Sequence, residues 1–305
     1  MERLGEKLGY VVAPLLTPFY RDSGEVNYEM VEKLIEHLLN KKFCTSIVVN
    51  GSTGEFSTLS HEERLKLYKT VKITVRGRVP LVAGTGAAST KEAIKLTKAA
   101  EELEYDCAMV VGPYYCRPTQ EGIYRHFAEI AVSTKLPILL YNIPIFTGTN
   151  IEPETVGRLA RDFENIVGIK DESGINPTQM TDYKLVTSED FTVYNGDDIM
   201  ILCGLSQGAS GVVSGGAHVF GDKILEMIEA FKSGDIKKAE VMHYQLYPFF
   251  KALCQNGRIN PQPILKEAVK MIGLDLGYAR EPLDRATDEE INRLKNEMER
   301  LGAFD

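Results

Sequence analysis

The chain has 305 residues, of which 44% are hydrophobic and 26% are charged. This composition is typical of a globular protein and excludes the disordered and fibrous classes. The net charge of −8 argues against a nucleic-acid-binding surface built on general basicity. No run approaches ~18 consecutive apolar residues and the first residues contain no apolar signal core, so we expect a soluble, cytoplasmic protein with no membrane partner.

Eight short apolar runs recur along the chain and predict β-strands. They occupy residues 11–17, 46–50, 79–84, 107–112, 137–142, 166–170, 191–195 and 211–215. Amphipathic stretches that predict helices lie between them, among them residues 26–40, 60–75, 89–103, 119–134 and 152–163. Three of these stretches begin with a capping residue, Ser60, Ser89 or Thr119, followed within three residues by Glu or Gln.

The order of these elements predicts an α/β protein, and more exactly a closed (β/α)8 TIM barrel. Nearly continuous apolar strands are typical of a parallel sheet covered by helices. The alternative is a doubly wound open sheet, which usually has a glycine-rich turn after its first strand. Here the first strand ends in Thr17-Pro18-Phe19, without glycine. From about Gly234 the pattern contains helices only, so we predict a barrel domain of residues 1–233 and a C-terminal helical extension of residues 234–305.

Neither cysteines nor histidines form a recognisable site. The five cysteines are an odd number without a C-x-x-C pair, which predicts free thiols in a reducing compartment. The five histidines show no ligand spacing, so we expect no metal and place them on helix surfaces. These histidines are His37, His61, His126, His218 and His243.

The candidate functional residues lie where predicted strands end, because α/β barrels carry their chemistry at the carboxyl ends of the strands. The turn after the second strand contains Ser52 and Thr53 between glycines, and its hydroxyls and amides can hold a carboxylate. An ordinary polar turn is the alternative. Lys170 ends the sixth strand, where partial burial favours an uncharged, nucleophilic amine. Alternatively it reaches water or pairs with Asp171.

Six motifs together resemble the dihydrodipicolinate synthase and N-acetylneuraminate lyase superfamily of pyruvate-dependent class I aldolases. They appear in the superfamily's order and span essentially the whole chain. The motifs are LLTPF at 15–19, GSTGE at 51–55, PYYCRPTQEG at 113–122, YNIP at 141–144, GIKDES at 168–173 and YNGDD at 194–198.

The resemblance implies a catalytic set. Lys170 would form an imine with the keto carbon of pyruvate, and Tyr141 would shuttle protons with Thr53 as a relay. Tyr115 would complete the relay in the adjacent subunit, which implies a tight dimer and a homotetramer made of two such dimers. Ser52 and Thr53 would bind the pyruvate carboxylate. Because the imine is the electron sink, the resemblance implies no cofactor.

The resemblance also implies the residues that line the pocket for the aldehyde or keto acid, and these bear on the substrate. They are Gly196, Asp198, Val213 and Phe146. Dihydrodipicolinate synthases generally have an arginine where this chain has Phe146, and phenylalanine cannot pair with a carboxylate. The sialic acid lyase branch has an acidic residue where this chain has Ile199.

These departures favour retro-aldol cleavage of a 2-keto-3-deoxy sugar acid, of the 2-keto-3-deoxygluconate type, to pyruvate and an aldehyde. A late segment of the GYxR type, which ends at Arg280, supports this activity. The alternatives are 4-hydroxy-tetrahydrodipicolinate synthase, which condenses pyruvate with aspartate semialdehyde, and N-acetylneuraminate lyase. Either Arg117 or Arg258 could replace the missing arginine.

Two hypotheses from other classes are weaker. A barrel that only binds a keto acid as an effector does not need both Lys170 and Tyr141. A metal-dependent class II aldolase needs histidine and carboxylate ligands at strand ends, and the sequence contains no such cluster.

Overall fold

The computed structural model describes residues 3–174 and 178–304. Its eight parallel strands follow one another in chain order around a closed barrel. The strands are β1 (Val11–Pro14), β2 (Ser46–Val49), β3 (Leu81–Gly84), β4 (Cys107–Val111), β5 (Ile138–Asn142), β6 (Ile166–Asp171), β7 (Thr192–Asn195) and β8 (Gly211–Val213). The prediction of a (β/α)8 barrel is therefore confirmed.

Helices follow the strands, and further helices form the C-terminal part. They are α1 (Leu4–Leu8), α2 (Tyr28–Asn40), α3 (His61–Val75), α4 (Thr90–Glu102), α5 (Gln120–Val132), α6 (Pro144–Thr147), α7 (Pro153–Asp162), α8 (Gln179–Val186), α9 (Ile201–Ser206), α10 (Ala217–Lys232), α11 (Ile236–Leu253), α12 (Gln262–Met271) and α13 (Asp288–Arg300). The hydroxyls of Ser60, Ser89 and Thr119 accept hydrogen bonds from backbone N–H groups of the first turns of α3, α4 and α5. Their predicted capping roles are thus confirmed.

The chain groups into two compact units. The first contains residues 1–10 and 79–213, and its strands β3 to β8 pair in parallel. Between β5 and β6 the register shifts: Ile138 pairs with Ile166, whereas Leu139 pairs with Gly168. Val167 is therefore the extra residue of a β-bulge. After the bulge, Tyr141 pairs with Lys170.

The second unit contains residues 11–78 and 214–305, with β1 paired in parallel to β2 and with helices α2, α3 and α10 to α13. Phe220 of α10 packs edge-on against Phe249 of α11, with ring centroids 4.9 Å apart. Gly221 allows close packing of α10, because a Cβ there would lie 1.9 Å from the carbonyl oxygen of Phe43. The predicted boundary at Gly234 falls between α10 and α11, and the separate C-terminal extension stays a prediction.

The prediction that all histidines lie on helix surfaces is wrong for His126 and His218, which are buried. Burial lowers the pKa of each imidazole to about 4. Leu16 N–H donates to Nε2 of His218 at 3.3 Å, so Nδ1 carries the proton and donates to the carbonyl of Gly215 at 2.9 Å. The described helices include none long and apolar enough to cross a membrane.

Candidate active site

Lys170 is a buried lysine at the end of β6. Its Nζ lies 3.9 Å from the centroid of the Tyr141 ring and 3.1 Å from Oε2 of Glu172. Only 5% of the residue is exposed, so the alternative in which Lys170 reaches water is wrong. Pairing with Asp171 is also wrong, since the Asp171 carboxylate accepts hydrogen bonds from Asn142 and Ser173 at 2.9 Å.

Glu172 joins the two residues for which the sequence predicts catalytic roles. The hydroxyl of Tyr141, at the end of β5, donates a hydrogen bond of 2.9 Å to Oε2 of Glu172. The same oxygen contacts Lys170 Nζ. Glu172 was not among the residues predicted from the sequence, although residues two apart along an extended chain point to the same side and Glu172 is two residues after Lys170.

The turn after β7 closes over this cluster. A Cβ on Gly196 would lie 2.6 Å from Cε of Lys170 and 2.9 Å from Cβ of Glu172. The next residue, Asp197, accepts the N–H of Ile199. Burial and the nearby charge of Glu172 raise the pKa of Asp197 to about 7. The predicted pocket residue Asp198 begins a short 3-10 helix, Asp198–Met200, and is half-buried.

Behind the cluster, buried polar side chains bind the ends of β5 and β6 to each other. Asn142 Nδ2 donates to Asp171 at 2.9 Å, and Asn142 Oδ1 accepts the N–H of Ile151 at the same distance. Burial raises the pKa of Asp171, and its hydrogen bonds oppose this rise. This network fixes the backbone on both sides of Tyr141 and Lys170.

The segments that follow β4 and β5 carry Tyr115, Arg117 and Phe146. Tyr115 has a left-handed backbone, φ 74°, and is 96% exposed. The Arg117 side chain lies against Gly148, where a Cβ would be 2.7 Å from the guanidinium Nε. Phe146 belongs to α6, two residues before Gly148, and is 37% exposed. In the described parts of the chain no carboxylate pairs with Arg117.

In the second unit, Ser52 and Thr53 are half-buried residues of a turn held by α12. The carbonyl of Ser52 accepts a 2.8 Å hydrogen bond from Gln262 Nε2. Glu55, which ends the turn, is buried and lies 2.6 Å from Nζ of Lys266. Burial raises the pKa of Glu55 and lowers that of Lys266 to about 8. This buried pair fixes the turn whose hydroxyls are predicted to bind a carboxylate.

The structure gives Arg280 and Arg258 roles in packing. Arg280 forms two hydrogen bonds to the Glu63 carboxylate, of 2.6 and 2.8 Å, and another to the carbonyl of Gly24. Arg258 pairs with Glu290 at 3.0 Å. Arg280 therefore anchors a loop and gives no support to a sugar-acid substrate. Val213, the last residue of β8, is buried.

A sequence model of the Dihydrodipicolinate synthetase family matches residues 7–301. The 4-hydroxy-tetrahydrodipicolinate synthase of Desulforamulus reducens is 43% identical to this chain over 293 residues, which are 96% of this chain and 97% of that relative. The protein of the same name from Bacillus subtilis is also 43% identical over 293 residues, 96% of this chain and 99% of the relative.

Solved structures are similar over the same length. The dihydrodipicolinate synthase of Bacillus anthracis has a TM-score of 0.90 at 42% identity, covering 96% of this chain and 98% of that chain. The enzyme of Cyanidioschyzon merolae, solved with lysine bound, has a TM-score of 0.93 at 39% identity, covering 97% and 99%. The chain therefore belongs to the dihydrodipicolinate synthetase family and is an enzyme of the class I aldolase type.

Proposed function

We propose that the chain makes 4-hydroxy-tetrahydrodipicolinate, the compound named in its relatives, by condensing pyruvate with aspartate semialdehyde through an imine on Lys170. The observation that carries the proposal is the buried amine of Lys170 beside the Tyr141 ring, in a chain similar over nearly its full length to 4-hydroxy-tetrahydrodipicolinate synthases. The sequence alone placed this activity second.

The chemistry needs an uncharged amine and a group that moves protons. The nitrogen lone pair of Lys170 attacks the keto carbon of pyruvate, and loss of water leaves a protonated imine. The imine draws electrons from the methyl group, which loses a proton and becomes the nucleophilic enamine carbon. This carbon then attacks the aldehyde carbon of the second substrate, whose oxygen takes a proton. Tyr141 is the proposed proton carrier in these steps.

The remaining site residues keep the roles that the family resemblance gives them, as proposals. Ser52 and Thr53 bind the pyruvate carboxylate, and Thr53 relays protons. Tyr115, almost fully exposed within one chain, acts in an adjacent subunit of a homotetramer. Gly196, Asp198 and Val213 line the pocket. Free thiols, including the buried Cys44 and Cys107, support a cytoplasmic location.

Arg117 is the proposed partner for the carboxylate of aspartate semialdehyde. Phe146 cannot supply the paired hydrogen bonds that a guanidinium gives to a carboxylate. Arg117 packs against Gly148, two residues after Phe146. Its guanidinium has no carboxylate partner among the described residues, so a substrate carboxylate would satisfy it.

A second candidate function is cleavage of a 2-keto-3-deoxy sugar acid, and Phe146 is the observation that favours it. An aldehyde product without a carboxylate does not require a guanidinium at that position. Comparison of kcat/KM for the two reactions decides between them. We expect the condensation with aspartate semialdehyde to have the higher value, and the reverse ranking would make sugar-acid cleavage the function.

Reductive trapping tests the imine itself. The protein is incubated with pyruvate and borohydride, weighed by mass spectrometry and digested to locate the adduct. We expect one carboxyethyl adduct, the reduced pyruvate imine, at Lys170, none in Lys170→Ala, and an undiminished yield in Lys184→Met, which removes a half-buried lysine outside the site. An adduct on Lys266, whose pKa burial lowers to about 8, or no adduct at all, would refute the proposal.

A further inference from the structure

Among the described residues, Glu172 is the carboxylate nearest to Nζ of Lys170, and the imine mechanism gives it no role. Its Oε2 lies 3.1 Å from Nζ of Lys170 and accepts the hydroxyl of Tyr141 at 2.9 Å. The amine and the phenol therefore share one carboxylate oxygen. Gly196 preserves the arrangement, because a Cβ there would lie 3.0 Å from the same oxygen.

We propose that Glu172 is a catalytic residue that accepts protons from the nitrogen of Lys170 and passes them to Tyr141. The inference rests on the proposed imine mechanism and adds to it the group that frees the amine. A buried ammonium has no lone pair for attack, and water has little access to a residue that is 5% exposed. A carboxylate in hydrogen-bond contact is the acceptor that the geometry provides.

An ammonium carries three protons and the protonated imine carries one, so two protons must leave nitrogen while the ketone oxygen departs as water. The first passes to Glu172 before attack, and the second passes to it from the nitrogen of the adduct. Each time, Glu172 gives its proton to the Tyr141 oxygen as the Tyr141 hydroxyl proton moves to the substrate oxygen. The carbon–oxygen bond then breaks, and Glu172 and Tyr141 end unchanged.

The charges around Glu172 define the alternative role to be tested. Lys170 and Tyr141 contact it from β6 and β5, and Asp197 interacts with it from the loop after β7, with Asp198 beside Asp197. A carboxylate next to an ammonium also stabilises the charged form of that amine. If Glu172 acted only in this way, its removal would leave more free amine and would speed imine formation at neutral pH.

The experiment measures the rate of pyruvate trapping by cyanoborohydride from pH 6 to 10. Glu172→Gln keeps the size of the side chain and an oxygen that can accept the Tyr141 hydroxyl, but it cannot take a proton. Glu164→Gln makes the same charge change at an exposed residue of the same unit. Burial raises the pKa of Asp197 to about 7, within the pH range of the experiment. The comparison of Glu172→Gln with the wild type is therefore repeated with Asp197→Asn added to both proteins.

At pH 7 we expect Glu172→Gln to trap pyruvate about 100-fold more slowly than the wild type, in either background, while Glu164→Gln matches the wild type. The rate of the variant should rise steeply with pH as hydroxide replaces the carboxylate. Should Glu172→Gln not fold, Glu172→Asp is expected to trap at least about tenfold more slowly, because its carboxylate is one methylene shorter.

Trapping by Glu172→Gln at the wild-type rate or faster would overturn the inference while leaving the imine mechanism intact. For Glu172→Asp, a wild-type rate would do the same. Failure of the wild type to trap pyruvate would refute the proposed function and the role of Glu172 together. Trapping by the wild type therefore shows whether a failed prediction concerns only the role of Glu172 or the imine mechanism itself.

Discussion

Gly196 and Lys170 are so close that a Cβ on Gly196 would lie 2.6 Å from Cε of Lys170. The absence of a side chain at position 196 therefore leaves the space through which the Lys170 side chain extends. Gly196→Ala should displace Lys170 or Glu172 and lower kcat/KM at least about tenfold, since misplacement of a reacting group by 1 Å can cost ~100-fold. Steady-state kinetics and trapping rates measure the effect.

The control for this variant is Gly112→Ala at the end of β4. A Cβ there would make its nearest contact at 3.6 Å, an ordinary van der Waals distance. We expect that variant to keep kcat/KM within about twofold of the wild type. Equal activities of the two alanine variants would mean that position 196 does not constrain Lys170.

Tyr141→Phe removes the hydroxyl that donates to Glu172 and keeps the ring next to the Lys170 ammonium. We expect kcat to fall about 100-fold because the proton carrier is lost, while some pyruvate trapping persists because the amine remains. The measurement pairs steady-state kinetics with the mass of the trapped protein. A fully active Tyr141→Phe enzyme would disprove the role of the hydroxyl.

Arg117→Ala tests recognition of the second substrate. Loss of charge-assisted hydrogen bonds worth about 1.5–3 kcal/mol should lower kcat/KM for aspartate semialdehyde by about 10- to 100-fold. The rate of pyruvate trapping should not change, because trapping precedes binding of the aldehyde. A normal kcat/KM for aspartate semialdehyde would show that another group binds its carboxylate.

Phe146→Arg tests the same question by restoring a guanidinium on α6. Placed in the Arg117→Ala protein, it should recover at least about tenfold in kcat/KM for aspartate semialdehyde. Phe146→Leu, which changes the side chain without adding charge, should recover nothing. Failure of the arginine to rescue would mean that position 146 does not face the carboxylate of this substrate.

The buried His218 should make stability depend on pH. Its pKa is about 4 in the fold against an ordinary 6.5, so the unfolded chain binds a proton more readily. The stability that the neutral imidazole contributes is complete above pH 6.5 and declines as the pH falls to 4, by about 3 kcal/mol. Protonated Nε2 would also meet the N–H of Leu16.

Urea unfolding of the wild type and of His218→Gln measures this dependence. The difference in unfolding free energy isolates His218 from carboxyl groups such as Asp197, whose raised pKa acts in the opposite direction. We expect the advantage of the wild type to shrink steadily from pH 7 to pH 4. An advantage that stays constant over that interval would contradict the buried neutral state.

The strands, the capping residues and the class of chemistry could be predicted because each has a local signal. Apolar runs mark buried parallel strands, and Ser60 followed by Glu63 marks a helix start. The motifs around Tyr141 and Lys170 indicated the superfamily. These signals depend on neighbours in the chain, which the sequence displays directly.

What could not be predicted depends on contacts between distant segments. Glu172 resembles an exposed acidic residue beyond a strand end, and only the pairing of β5 with β6 brings it to Tyr141. The GYxR-type segment that ends at Arg280 favoured a sugar-acid aldolase until the pairing of Arg280 with Glu63 was visible. Burial of His126 and His218 likewise depends on packing, because neither has a distinctive sequence environment.

The β-bulge at Val167 determines which residue of β6 stands opposite Tyr141. Counted from Ile138 and Ile166 without the extra residue, Tyr141 would face Ile169 in place of Lys170. Alternate residues of a strand point to opposite faces, so a chain one residue shorter there would turn the amine away from the phenol. A single-residue deletion at this bulge would thus abolish activity without changing any reacting group. The number of residues in β6 therefore matters to catalysis as much as their identity.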